Sequence, residues 1–397
     1  MFLNDNLSKI ISVGWSQDQH LFHKRLGVDR VLDALRRAFP DDERTGELAC
    51  LFYGGDFWDH EVSNAHPELW KVQEYIGWRL KSAKRRGYSV RVLEGTPSHD
   101  RGQCRMWKTI NDLLDEPADL KYIDTLCIET HPILGEILYI PDCWKPTTDE
   151  TWEDVRAAMT AKNLTMVDWV VMHGAFKHQL PEHLHGRAQL HDGDRYASIC
   201  RKYVLVGHVH TKSQYKNIIS IGSIERANHN EEEPKGTLRI NCSENGDEIL
   251  FQENTLARIA RTIDLTDLSA EQAYLKVQEE LSKYHLAELD GIALRIKARK
   301  TDHAAYLMPK LAQTYPEVEW GFKDVDAKVK MHLVRLDQTE VKVTVHDLSH
   351  NVIKQKLLQR IGEHLTPTMT DKVDDLFKSY RYKQVENASV LENTEVA

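Results

Sequence analysis

The chain has 397 residues, long enough for two or three domains, and its 41% hydrophobic and 28% charged residues exclude a disordered or low-complexity protein. A formal net charge of −9 excludes a surface coated in basic charge for nonspecific nucleic-acid binding, although carboxylates gathered around cations would contribute to that total. No apolar run reaches the roughly 18 residues of a spanning helix, and Met1–Lys9 lacks the basic start and apolar centre of a signal peptide, so a soluble, cytoplasmic protein with no membrane segment is expected.

Short apolar runs alternate with amphipathic stretches through the first two-thirds of the sequence, the pattern of an α/β domain built in layers. Strands are predicted at 10–15, 48–53, 89–93, 125–129, 136–140, 169–172, 203–206 and 218–221, with helices at 28–39, 68–86, 105–114 and 151–162. A strand pair after Lys235-Gly236, turning at Glu244-Asn245-Gly246-Asp247, closes a first domain over 1–255. From Arg258 the order becomes strand 261–265, helix 270–284, strand 291–298, helix 303–314 and further strands. This reads as a smaller α/β unit over 256–346, with no metal-type cluster. Helical patterns at 352–365 and 371–380 define a C-terminal segment, 347–397, that ends in a polar tail.

The six cysteines, Cys50, Cys104, Cys127, Cys143, Cys200 and Cys242, are far apart and form no CxxC pair, so they read as reduced thiols. The 20 histidines carry more information. In an α/β sheet, ligands gather beyond the carboxyl ends of the strands. Asp18 and His20 follow the first strand, Asp56 the second, His99 and Asp100 the third. His173 ends a later strand, and His208 and His210 follow 203–206. Each residue alone reads as a hydrogen-bonded loop residue. Five such loops in order, offering Asp, His and hydroxyl groups, read as a cation site. Mixed carboxylate and imidazole donors suit divalent ions, and the absence of cysteine speaks against a closed structural zinc site.

These segments resemble the calcineurin-like metallophosphoesterase superfamily, whose DxH, GDxxD, GNH(D/E), H and GHxH motifs are matched by Asp18-Gln19-His20, Gly55 to Asp59, Gly95 to Asp100, His173 and Gly207-His208-Val209-His210. Gly222-Ser223-Ile224-Glu225-Arg226, followed by Lys235-Gly236, is similar to the ending of SbcD-type DNA repair nucleases. The resemblance implies a metallophosphoesterase β-sandwich flanked by helices, a capping domain and a C-terminal helical segment. It implies two divalent cations, manganese foremost, with Asp18, His20, Asp56 and His210 on the first, and Asp56, His173 and His208 on the second. His99 would contact the scissile phosphate, and Asp100 is expected to orient its ring. The implied activity is DNA cleavage, by a homodimer that partners an SbcC-type coiled-coil ATPase.

The third motif departs from the family: Gly95-Thr96-Pro97-Ser98-His99-Asp100 is two residues longer and lacks asparagine. Thr96, Ser98 or water could supply the missing donor to the second cation. A small-molecule phosphatase or phosphodiesterase, and a DNA- or partner-binding subunit without activity, remain as alternatives. Three other features have bland readings: the basic run 79–91 as a solvated helix face, His178, His183, His185 and His191 as exposed loop residues, and Trp58 as packing beneath the site loop.

Overall fold

The computed structural model of the chain describes residues 10–142, 145, 147–182, 185, 188–284, 291–299, 302–325, 333–336 and 339–342. The chain divides into two compact units, Met1–Ala260 and Arg261–Ala397. Met1–Lys9, Cys143, His183 and the helical patterns at 352–365 and 371–380 lie outside the described residues.

The first unit runs β1 (Ile11–Ser16), α1 (Val28–Ala38), α2 (Glu43–Gly46), β2 (Leu48–Gly54), α3 (Leu69–Arg86), β3 (Ser89–Leu93), α4 (Arg105–Asp112), β4 (Leu120–Ile123), β5 (Cys127–His131) and β6 (Gly135–Ile140). It continues with α5 (Thr148–Ala161), β7 (Trp169–His173), β8 (Ala175–Phe176), β9 (Leu190–His191), α6 (Gly193–Ser198), β10 (Val204–Gly207), β11 (Ser213–Tyr215), β12 (Ile218–Ser220), β13 (Gly236–Ser243) and β14 (Gly246–Glu253).

Two six-stranded mixed sheets result, ordered β14-β13-β1-β2-β3-β4 and β11-β12-β10-β7-β6-β5. In the first, β1 to β4 are parallel; in the second, β6, β7, β10 and β12 are parallel. Alternation along the strands distributes their side chains. Leu51 and Tyr53 of β2 pack with Val31 and Leu35 of α1 and Leu80 of α3, whereas Cys50 and Phe52 pack with Tyr139, Val171 and Leu205 of the other sheet. Val170 and Val204 turn to the opposite side, against Val155 and Met159 of α5. The architecture is mixed α/β, with one core shared by both sheets and a helix-lined core beside each. Strand β2, buried along its whole length, is covered on both faces and reads as a continuous apolar run for that reason. Helix α3 ends where Gly87 takes φ 82° and its amide closes on Ala83 O, after a last turn of Lys84, Arg85 and Arg86 that suits the helix's negative end.

Several local expectations shift. Strand β5 begins at Cys127 rather than at 125, and β4, half-buried at the sheet edge, was not foreseen. The β13–β14 turn centres on Glu244 and Asn245, with Ser243 paired to Gly246, one residue before the Asn-Gly turn expected. Glu225 ties the chain together on either side of residue 255: Asn254 Nδ2 and Arg258 N donate to its two carboxylate oxygens at 2.8 and 2.9 Å. The basic run is not all solvated. Arg79 is buried, donating to Tyr88 OH at 3.1 Å and lying over the Trp78 ring, and Arg91 is buried against Glu129 and Asp119 at 2.8 and 3.1 Å.

Strand β15 (Ile259–Asp264) begins in the last two residues of the first unit; with β16 (Ile292–Ala298) and β17 (Glu319–Asp324) it forms a three-stranded sheet, and the second unit also contains α7 (Ala270–Leu281), α8 (His303–Thr314) and a hairpin of β18 (Leu333–Leu336) and β19 (Thr339–Lys342). Ser269 and Gln272 form a capping box that starts α7. Among the described residues no helix is long and apolar enough to cross a membrane. The five described cysteines are free, and all but Cys127 are buried.

Candidate metal centre

The carboxyl ends of β1, β2, β3, β7 and β10 bring the loop residues together. Asp18 N donates to Gly55 O at 3.1 Å and His20 N to Asp56 O at 3.0 Å, which ties the loop after β1 to the loop after β2. His173 Nδ1 donates to Gly54 O at 2.8 Å, joining the two sheets through a strand end. Asp18, His20, Asp56 and His208 adopt positive φ, between 46° and 102°, a conformation that costs about 1–3 kcal/mol per residue and persists where surrounding contacts enforce it.

Two donor triads result: Asp18, His20 and His210, and Asp56, His173 and His208, each with its donor atoms within 4.8 Å of one another. Asp56 reaches both, its Oδ2 lying 3.2 Å from His173 Nε2 and 4.0 Å from His20 Nε2. His99 forms a further group with His20 and Asp56, and its ring meets that of His20 edge to face at 4.9 Å.

The tautomers follow from the partners. Gly54 O can only accept, so His173 Nδ1 carries a proton, and Nε2 turns to Asp56. Glu231 Oε1 accepts from His210 Nδ1 at 3.2 Å, which turns His210 Nε2 toward His20 Nε2, 2.8 Å away. Two imidazole lone pairs that face each other this closely repel unless a proton or a cation stands between them. Burial opposes charge on His20, but Asp59, Asp56 and Asp18 outweigh it and lift its pKa to about 9. Burial likewise opposes charge on His173, and Asp56 lifts it to about 10, while Asp56 itself, despite burial, is held well below the usual carboxylate range by His173. His208, buried beside cationic His173, is lowered to about 4. The neighbouring carboxylates thus favour the protonated forms of His20 and His173.

The surroundings supply residues that sequence reading did not single out. Glu231 also accepts from Lys235 Nζ at 3.0 Å, Ser223 Oγ at 3.1 Å and Asn228 Nδ2 at 3.2 Å, and Lys235 donates to His210 O at 2.7 Å. Gly222 lies so close to the same loop that a Cβ would stand 2.2 Å from His210 O, at φ 73°. The Gly222-Ser223 and Lys235 motif therefore has a mechanical role in fixing His210. Gln17 donates to Asp18 Oδ2 at 2.9 Å, and His208 N to Asp18 Oδ1 at 2.9 Å. Asp59 faces His20 Nδ1 at 3.5 Å through a carboxylate oxygen, and its pKa, which burial would raise, is brought to about 2 by His20.

Asp100 stands elsewhere than expected. Its carboxyl accepts from Gly95 N at 2.7 Å, Trp58 N at 2.9 Å and Asp56 N at 3.0 Å, so it is turned to backbone amides rather than to the His99 ring. It is fully buried, and burial with Asp56 and Glu94 nearby raises its pKa to about 8. The His99 ring is oriented instead by Asp59 O, which accepts from its Nδ1. His191 is buried rather than exposed, with Nδ1 3.0 Å from Tyr196 OH, and His178 stacks between Phe176 and Tyr215. Trp58 packs in the core, stacked on Phe22 at 5.8 Å.

No family model matches the sequence, and no curated protein matches it. Solved structures resemble the chain weakly, two of them as follows. One crystal structure is matched at 10% identity and a TM-score of 0.37 over 62% of this chain and 99% of its own. The other, GAP50, the anchor in the inner membrane complex of Plasmodium, is matched at 12% identity and a TM-score of 0.39 over 62% of this chain and 85% of its own. At these values neither likeness bears on the chemistry of this chain.

Proposed function

We propose that the chain is a metal-dependent phosphodiesterase of the calcineurin-like metallophosphoesterase kind, with DNA as substrate and two divalent cations, manganese foremost, as cofactors. The observation that carries the reading is Asp56, a buried carboxylate within reach of two oxygen and imidazole triads. The donors fit such ions: no thiolate belongs to either triad, and the Nε2 atoms of His20 and His210 face each other at 2.8 Å, where a proton or a cation can stand between them. Asp18, His20, Asp56 and His210 would hold one cation, and Asp56, His173 and His208 the other. Bound there, the cations supply Lewis acidity toward a phosphate ester and lower the pKa of water.

The protein's own groups do the rest. Asp59 O fixes His99 Nδ1 as a donor, which leaves Nε2 of this partly exposed ring to exchange a proton with a leaving oxygen. Asp59 and Glu231 hold the rings of His20 and His210 from outside, and Asp100 holds the Asp56 and Gly95 amides. The shared core between two sheets, with helices outside each, supports the layered sandwich that the sequence resemblance implies. DNA as substrate, the homodimer and an SbcC-type ATPase partner rest on that resemblance. The segment expected to bind the ATPase, 347–397, lies outside the described residues.

The test is cleavage of linear and single-stranded DNA by the purified chain with manganese, beside a generic phosphodiester and a chelator control. Chelator-sensitive DNA cleavage that falls at least about 100-fold in His99→Asn, with ion content intact, is expected. Turnover of small esters alone would replace DNA by a small substrate, and inertness toward both would remove the enzymatic reading.

A further inference from the structure

The backbone of Thr96 is fixed without its side chain. Thr96 O accepts from His99 N at 2.8 Å and Asp100 N at 3.0 Å, and Thr96 N donates to Asp56 Oδ1 at 2.6 Å. Its hydroxyl nevertheless points among the second triad, with Oγ1 3.2 Å from Asp56 Oδ2, 3.2 Å from His173 Nε2 and 3.3 Å from His208 Nδ1. As a hydrogen-bonding group Thr96 Oγ1 can donate to only one of these and must accept from a protonated imidazole, whereas with both rings deprotonated its oxygen and theirs can face one cation together.

The approach is built into the chain. A Cβ on Gly95 would stand 2.1 Å from Asp56 N and 2.4 Å from Asp56 Oδ1, so only glycine lets the peptide before Thr96 come this close. Thr96 is buried to 8% exposure. Ser98, the other hydroxyl of the turn, makes no hydrogen bond to these residues.

We propose that Thr96 is a ligand of the second cation, adding a neutral alcohol oxygen to Asp56, His173 and His208; this rests on the two-cation reading above. An alcohol brings no charge, so the second cation is held by one shared carboxylate, two imidazoles and a hydroxyl. It is therefore the weaker of the two, and an ion that prefers oxygen, such as manganese, suits it.

The experiment uses the full chain and metal ions alone. Manganese titrations followed by calorimetry and by electron paramagnetic resonance, which reports coupling between adjacent ions, are run on wild type, Thr96→Ser and Thr96→Val. Expected are two ions in wild type and in Thr96→Ser, and in Thr96→Val a second ion weakened at least about tenfold with the first unchanged. Two ions of unaltered affinity in Thr96→Val would overturn the assignment. A wild type that binds fewer than two ions would overturn the two-cation reading itself.

Should the valine variant misfold, Thr96→Cys with cadmium gives an independent answer. A thiolate-to-cadmium absorption band absent from wild type supports the assignment, and two bound cadmium ions without that band refute it.

Discussion

The two halves of the site use similar donors but are braced differently. Around the first triad the outer groups are anionic: Asp59 faces His20 at 3.5 Å and Glu231 faces His210 at 3.2 Å. Around the second they are neutral: the Gly54 carbonyl orients His173, and the Thr96 hydroxyl stands among Asp56, His173 and His208. Carboxylates behind an imidazole raise its basicity as a ligand. On the two-cation reading proposed above, the contrast predicts that affinity at each half depends on the shell behind the donors as well as on the donors, with the first half the tighter.

The largest effect should come from the residue that both halves share. Asp56→Asn leaves His173 without its buried partner and removes a donor from each half. At about 3–5 kcal/mol for a broken buried charge pair, both affinities should fall by roughly 10²- to 10⁴-fold. Calorimetric titration with manganese measures this, and loss at one half only would mean that Asp56 is not shared.

Glu231→Gln should separate the halves. It keeps the size of the side chain while removing the charge behind His210, so the first ion should weaken by about 10- to 100-fold and the second hardly at all. Equal weakening of both would break the comparison.

Acidity should affect the halves alike, because each contains one imidazole with a raised pKa, about 9 for His20 and about 10 for His173. Both are protonated at neutral pH, so each cation must displace a proton. Affinity should therefore rise with pH up to the range 9 to 10, by about tenfold per unit for each ion. Proton release, read by calorimetry in buffers of different ionisation enthalpy, should approach one per ion; no release would contradict the charge assignment.

The smallest effect on ion binding is expected from Asp100→Asn. An amide in place of the carboxyl cannot accept from all three backbone donors, so folding stability should drop by about 1–3 kcal/mol in denaturant unfolding, with ion stoichiometry unchanged. A lost ion with stability intact would assign Asp100 to the donor set.

Much of the site was legible because strand ends are legible. Apolar runs such as Leu48–Gly54 mark buried parallel strands, and Asp or His residues directly after several such runs converge wherever the strands lie side by side. The bracing was not legible. Glu231 lies 21 residues after His210 in a polar stretch that looks like any solvated loop, and only folding makes it a buried carboxylate behind a histidine. Arg79 misled for the converse reason: a basic residue on a helix reads as solvated, and the Phe39 carbonyl, 40 residues away, and the Tyr88 hydroxyl beyond the helix end meet it only in the folded chain. Asp100 stands beside His99 in sequence, but the turn that starts at Thr96 sends the carboxyl inward to backbone amides.

The sequence by itself determined the α/β alternation and the order of donor residues at strand ends, because periodicity and residue chemistry are local properties. Tertiary structure alone decided which carboxylate braces which ring, which way the rings of His173 and His210 turn, and which hydroxyl enters the second triad. Those outcomes depend on groups tens to hundreds of residues apart meeting within about 3 Å, the range over which hydrogen bonds act and which no sequence spacing records.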